Sequence, residues 1–204
     1  MSQLYIVRHG NTFDAGQTPT RVGARTDLDL SSSGKAQATA LAKDFKDIDF
    51  DAAFCSPLCR TRQTASIILQ PHKPAPPLLI LPFLTEIDYG EDENKQEADV
   101  IARLGQAALD AWDADAIPPD GWHVDPKALI QDWKDVIARA ASLPANANIL
   151  IVTSNGIARF LLDAVDTLPP ESARKLKTGA YGQISVTPDG ASALISWNVR
   201  PAKT

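Results

Sequence analysis

Leu4-Tyr5-Ile6-Val7-Arg8-His9-Gly10 decides how the rest of the chain is read. Four apolar residues, two of them β-branched, closed by a glycine, predict a buried strand. Such a strand delivers Arg8 and His9 to its carboxyl end, where open α/β sheets keep their binding sites. An imidazole beside a guanidinium suits chemistry on an anion, and phosphate is the first candidate.

The same pattern recurs along the chain. Ser31-Ser32-Ser33 offers N-caps for a helix whose apolar side is Ala36, Ala40, Leu41 and Phe45. Ala52–Cys55 reads as a strand, broken by Ser56-Pro57, with a helix from Leu58 to Leu69. Pro71, Pro74, Pro76 and Pro77 force an extended connection into a third strand, Leu78–Leu81. Glu86 to Asp99 reads as an acidic loop. Two amphipathic helices follow, near Gln96–Trp112 and Pro126–Ala141. Ile149–Val152 is the strongest strand and leads into a helix near Ile157. A helix near Pro170–Leu176 and strands Gln183–Thr187 and Ala193–Trp197 close the chain. This alternation predicts an α/β fold: three αβα layers around a mainly parallel sheet. Residues 1–204 read as a single domain, with 86–144 as a helical insertion capping the sheet's carboxyl edge.

Composition narrows the function classes. With 204 residues and 44% apolar content, a full core forms without disulfides or metal staples. A net charge of −5 argues against nucleic acid or an anionic membrane as partner. No apolar run approaches membrane-spanning length. Cys55 and Cys59 match no zinc spacing and read as unpaired thiols. With no signal peptide, they point to a reducing cytoplasm. Trp112, Trp122, Trp133 and Trp197 read as packing, and Glu91-Asp92-Glu93 as a solvated loop that disfavours highly charged substrates if it lies near the mouth.

Three segments carry suitable chemistry, each following or nearly following a strand: Arg8-His9-Gly10, Ser56-Pro57-Leu58-Cys59-Arg60 with Gln63-Thr64, and Leu84 to Gly90 with Glu86. With Arg21, Asp29-Leu30-Ser31, Gly34 and Gln37, this order and spacing resembles the histidine phosphatase (phosphoglycerate-mutase-like) superfamily. The resemblance implies that His9 is the nucleophile and carries a phosphoryl group as phosphohistidine. Arg8 and Arg60 would clamp the equatorial oxygens, since guanidinium is planar, always charged and bidentate. Glu86, with Asp88 as rival, would be the general acid. No metal or other cofactor is implied, because the arginines supply the positive charge. The partner is a small phosphorylated substrate or inorganic phosphate.

The pattern also departs from the family. A second histidine normally follows the last core strand, and aligning Gly156 and Arg159 puts Ser154 there. Losing one preorganised donor typically costs on the order of 10²–10³ in rate. Ser154 and Asn155 remain as neutral phosphate donors. Ala15 stands where the family often has an asparagine. His72 reads as exposed, and His123 lies in the insertion. Asn11 and Arg21 are candidate substrate contacts, while Arg21 and Arg25 fit a substrate or a surface role equally. Two functions follow: a phosphatase acting on a small phosphomonoester, or a weak or inactive member that binds a phosphorylated ligand as a regulator. Mutase action ranks lower, because nothing here secures the phosphoryl group against water.

Overall fold

A computed structural model describes residues 1–144, 146–169 and 173–201. Its six strands are β1 (Ser2–Arg8), β2 (Ala52–Cys55), β3 (Leu78–Ile80), β4 (Asn148–Thr153), β5 (Tyr181–Val186) and β6 (Ser192–Val199). They form one sheet in the order β3-β2-β4-β1-β5-β6. β1 to β4 are mutually parallel, and β5 is antiparallel to both β1 and β6. The helices are α1 (Ser32–Asp44), α2 (Cys59–Leu69), α3 (Glu97–Leu104), α4 (Gln106–Asp115), α5 (Pro126–Ala141) and α6 (Asn155–Leu161).

Period-two alternation along β1 explains the layers. Tyr5 and Val7 face one side, where they meet Leu41 and Phe45 of α1 and Ile68 and Leu69 of α2. Leu4 and Ile6 face the other side, packed with Trp133 and Ile137 of α5 and Phe160 and Leu161 of α6. Both faces of the sheet are therefore covered, giving an α/β fold of three layers. Local signals set the helix ends. The Ser31 hydroxyl accepts from the Gly34 N–H, and the Asp125 carboxylate accepts from Lys127 and Ala128 ahead of Pro126 in the first turn. In the register of β1 with β4, Arg8 pairs with Thr153, so both strands end at one edge.

Several expected elements differ. The helix expected over Gln96–Trp112 is two, broken at Gly105 (φ 79°), a backbone conformation that glycine adopts without steric cost. The expected loop Glu86 to Asp99 contains a short 3-10 turn, Gly90–Asp92, and the first residues of α3. The helix after β4 starts at Asn155 rather than Ile157. Of the helix expected near Pro170–Leu176, residues 170–172 lie outside the described residues, and 173–176 are not helical. His72 is half-buried against Phe50, with ring centroids 5.3 Å apart. Of Glu91-Asp92-Glu93, expected as a solvated loop, only Glu91 is exposed. Asp92 is buried on Arg103 and the Trp122 indole N–H, and Glu93 accepts from the Gly23 and Arg25 N–H groups. Within 86–144, α5 lies in the helix layer: its Trp133 indole donates to the Ile157 carbonyl at 3.0 Å. No helix among the described residues is long and apolar enough to cross a membrane.

Candidate active site

β1 and β4 together set the first motif. The His9 backbone N–H donates to the Thr153 carbonyl at 3.1 Å, and the Gly10 N–H donates to the Thr64 hydroxyl on α2 at 3.2 Å. His9 is buried, with Nδ1 2.7 Å from the Gly10 carbonyl oxygen. A carbonyl only accepts, so Nδ1 carries the proton and Nε2 the lone pair. Burial holds the imidazole well below its ordinary pKa, and the Arg60 and Arg8 guanidinium groups lower it further. The ring is therefore neutral, with its lone-pair nitrogen away from the Gly10 carbonyl.

Arg60 is fully buried beside that ring. Its Nε–H donates to His9 Nε2 at 3.2 Å, and Nη1 and Nη2 donate to the carbonyls of Thr26 and Gly23 at 2.8 and 3.1 Å. Arg60 thus ties the 11–29 loop to His9 and does not itself border the cavity. Arg8 does border it. Its Nη1 donates to the Leu176 carbonyl at 2.9 Å, while its Nε is buried and unpartnered.

The third motif is anchored by Thr153, whose hydroxyl donates to the Leu84 carbonyl at 2.8 Å. Two residues on, the buried Glu86 carboxylate accepts from its neighbour Ile87 N–H at 3.0 Å and from Gly156 N–H at 3.2 Å. The rival Asp88 lies elsewhere. It accepts from Arg25 and Gly90 N–H, pairs with His123, and does not border the cavity.

Arg8, His9 and Glu86 meet in one cavity of about 560 Å³. Asn11, Arg21 and Asn155 border it too. Asn11 is already engaged with Gln37 and Ser33, and the Asn155 Oδ1 accepts from the Leu176 N–H. Arg21 is held over the Trp122 and Tyr89 rings, 4.8 and 5.3 Å from their centroids, and donates twice to Glu97. Ser154 is fully buried, its hydroxyl has no protein partner, and it is not among the cavity-lining residues.

Sequence reasoning gave no role to Arg159, Tyr89, Asp113 and Lys175, all of which border the cavity. Arg159 is fully buried, 4.0 Å over the Trp112 ring, and donates to the Trp112 carbonyl and to Asp113. A guanidinium inside the apolar run Ile157-Ala158-Arg159-Phe160-Leu161 was the available signal, because such a charge is buried only with built-in partners.

The histidine phosphatase superfamily (branch 1) pattern matches residues 4–199. The chain is 28% identical over 182 residues to 2,3-bisphosphoglycerate-dependent phosphoglycerate mutase 2 of Gloeobacter violaceus, covering 87% of this chain and 81% of the relative. It is also 28% identical over 179 residues to the adenosylcobalamin/alpha-ribazole phosphatase of Escherichia coli, covering 83% and 82%. Among solved structures, a putative alpha-ribazole-5'-P phosphatase from Escherichia coli superposes with a TM-score of 0.75 at 25% identity, over 99% of this chain and 98% of that one.

Proposed function

Because the chain belongs to the histidine phosphatase superfamily, we propose that it hydrolyses a small phosphomonoester through a phosphohistidine on His9. On this reading the Nε2 lone pair attacks phosphorus as the bond from phosphorus to the leaving oxygen breaks. The Glu86 carboxyl gives its proton to that oxygen, so the alcohol departs neutral. The phosphorylated ring is an imidazolium, and the Gly10 carbonyl against Nδ1–H stabilises its charge. Water then attacks phosphorus and passes a proton to the Glu86 carboxylate. The bond from nitrogen to phosphorus breaks, orthophosphate leaves, and both side chains return to their starting state.

Charge handling falls to the arginines. Arg8 contributes an unpartnered Nε–H to the phosphoryl oxygens, and Arg159 a second. The Arg60 Nε–H, which donates to His9 Nε2, switches its hydrogen bond to an equatorial oxygen once phosphorus takes that lone pair, and the guanidinium keeps its proton. The Ser154 hydroxyl is buried and free of protein partners, outside the cavity lining, and it reaches the phosphoryl group only if bound substrate draws it in.

The tautomer of His9 carries the proposal. A purely structural histidine has no need of an Nε2 lone pair, met here by the Arg60 Nε–H, beside a cationic cavity and a carboxyl group. Turnover of an aryl phosphate by wild type, His9→Gln and Glu86→Gln tests it. Wild type turns over, His9→Gln loses at least about 10³-fold, and Glu86→Gln loses about 10²–10⁴-fold, less for leaving groups that need no proton. A His9→Gln protein as active as wild type overturns the proposal. The weak-binder reading draws its support from Ser154, and orthophosphate binding without turnover would favour it.

A further inference from the structure

Between Glu86 and Asp125 the chain carries twelve carboxylates against two basic side chains, Lys95 and Arg103. That is a net charge of −10 in 40 residues, while the remaining 164 are net +5. Negative charge beside a site for phosphate dianions repels substrate unless something compensates it. Within the fold part of it is compensated. Asp88 pairs with Arg25, Asp92 with Arg103, Glu97 with Arg21, and Asp113 with Lys175 and Arg159.

Asp110 is different. It is exposed on α4 and borders the cavity. Among the described residues its recorded side-chain partner is the neutral Gln106 amide, one turn earlier, at 2.9 Å. The cavity is therefore bipolar. Its buried lining includes Arg8 and Arg159, each with an unpartnered Nε–H, with Arg60 beside His9. Arg21 donates to Glu97 through Nη2 while its Nε is also buried and unpartnered, Lys175 is matched by Asp113, and among the described residues no cation pairs with Asp110. At about 560 Å³, the space extends well beyond a phosphoryl group, so the alcohol half of a substrate meets this wall.

We propose that the preferred substrate is a zwitterion, the phosphomonoester of an amino alcohol, with its ammonium group toward Asp110 and its phosphate at the Arg8 end. This rests on the phosphatase reading above. A carboxylate or second phosphate in place of the ammonium meets uncompensated negative charge. Exchanging the sign of one group at this range changes affinity by about tenfold in partly exposed surroundings.

The test uses matched esters at two lengths: phosphates of two-carbon and six-carbon alcohols ending in an amine, a hydroxyl or a carboxylate. Turnover is read on wild type, and binding by calorimetry on His9→Gln, at low and high salt. At one length or both, the amine should exceed the carboxylate by about tenfold, with the hydroxyl between, and salt should compress the ratio. Asp110→Asn should narrow the amine-to-carboxylate ratio at least about threefold. Asp115→Asn, on the same helix but outside the cavity lining, should leave it in place. A carboxylate ester as good as the amine at both lengths overturns the inference, as does an unchanged ratio in Asp110→Asn. If wild type turns over neither these esters nor an aryl phosphate, the phosphatase reading fails, and the binding order on His9→Gln still decides the charge preference.

Discussion

Gly156 and Glu86 meet where β4 turns into α6. The Gly156 N–H donates to one carboxylate oxygen at 3.2 Å, and a Cβ on Gly156 would lie 2.1 Å from the other. Only a residue without a side chain lets the carboxylate sit there. Gly156→Ala should displace Glu86 by about an ångström, and misplacement on that scale costs on the order of 10²-fold in kcat. Orthophosphate affinity should fall much less, because Arg8 is untouched. Calorimetry beside steady-state kinetics separates the two, and an equal loss in both would tell against Glu86 as the displaced group.

His9 titrates below its ordinary range because burial and two guanidinium groups oppose its protonation. The acid limb of kcat/KM assigned to its neutral form should therefore fall well below pH 6.5. The same shift has a stability consequence. Below about pH 6.5 the unfolded chain takes up a proton that the folded His9 refuses, so stability declines as pH falls through that window. Melting curves of wild type and His9→Gln from pH 7 to 5 should show a shallower decline in the variant. Parallel curves would contradict the shift.

Ser154 is buried with an unpartnered hydroxyl. Removing such a group relieves a desolvation cost, so Ser154→Ala should melt at or above the wild-type temperature. If the hydroxyl donates to bound phosphate, the same variant should lose about tenfold in kcat/KM. A drop in melting temperature with unchanged kinetics would mean that the hydroxyl serves the fold.

Arg60 combines both demands. Arg60→Ala orphans the Thr26 and Gly23 carbonyls beside His9. Two unpaired buried acceptors and the lost packing should cost about 3 kcal/mol, roughly 10 °C in melting temperature. Arg60→Lys should recover part of the stability but little activity, since an ammonium cannot span His9 and two carbonyls at once. Full recovery of activity would exclude a role for the planar fork.

Much of this was legible from local signals. The β1 run, the serine cap of α1, and Asp125-Pro126 at the head of α5 state their structure in adjacent residues. Arg8 and His9 follow from lying at a strand end. What stayed hidden depends on contacts remote in sequence. Glu86 and Asp88 differ only in which groups face them, Gly156 for one, Arg25 and His123 for the other. Arg60 reads as an open clamp until the Gly23 and Thr26 carbonyls are seen against it. Arg159 and Lys175 reach the cavity from α6 and the segment before β5, and no spacing near Arg8 announces them. The split at Gly105 was missed because the apolar periodicity continues across it while the backbone does not.

The central claim is covalent. Brief incubation with a radiolabelled phosphomonoester, followed by denaturing quench, should trap label on the wild-type chain that is stable in alkali, lost in acid, and mapped by peptide sequencing to His9. Glu86→Gln should hold the label longer, because water attack on the intermediate then lacks its base. Turnover without any trapped label under rapid quench, or label that persists in His9→Gln, would contradict the account.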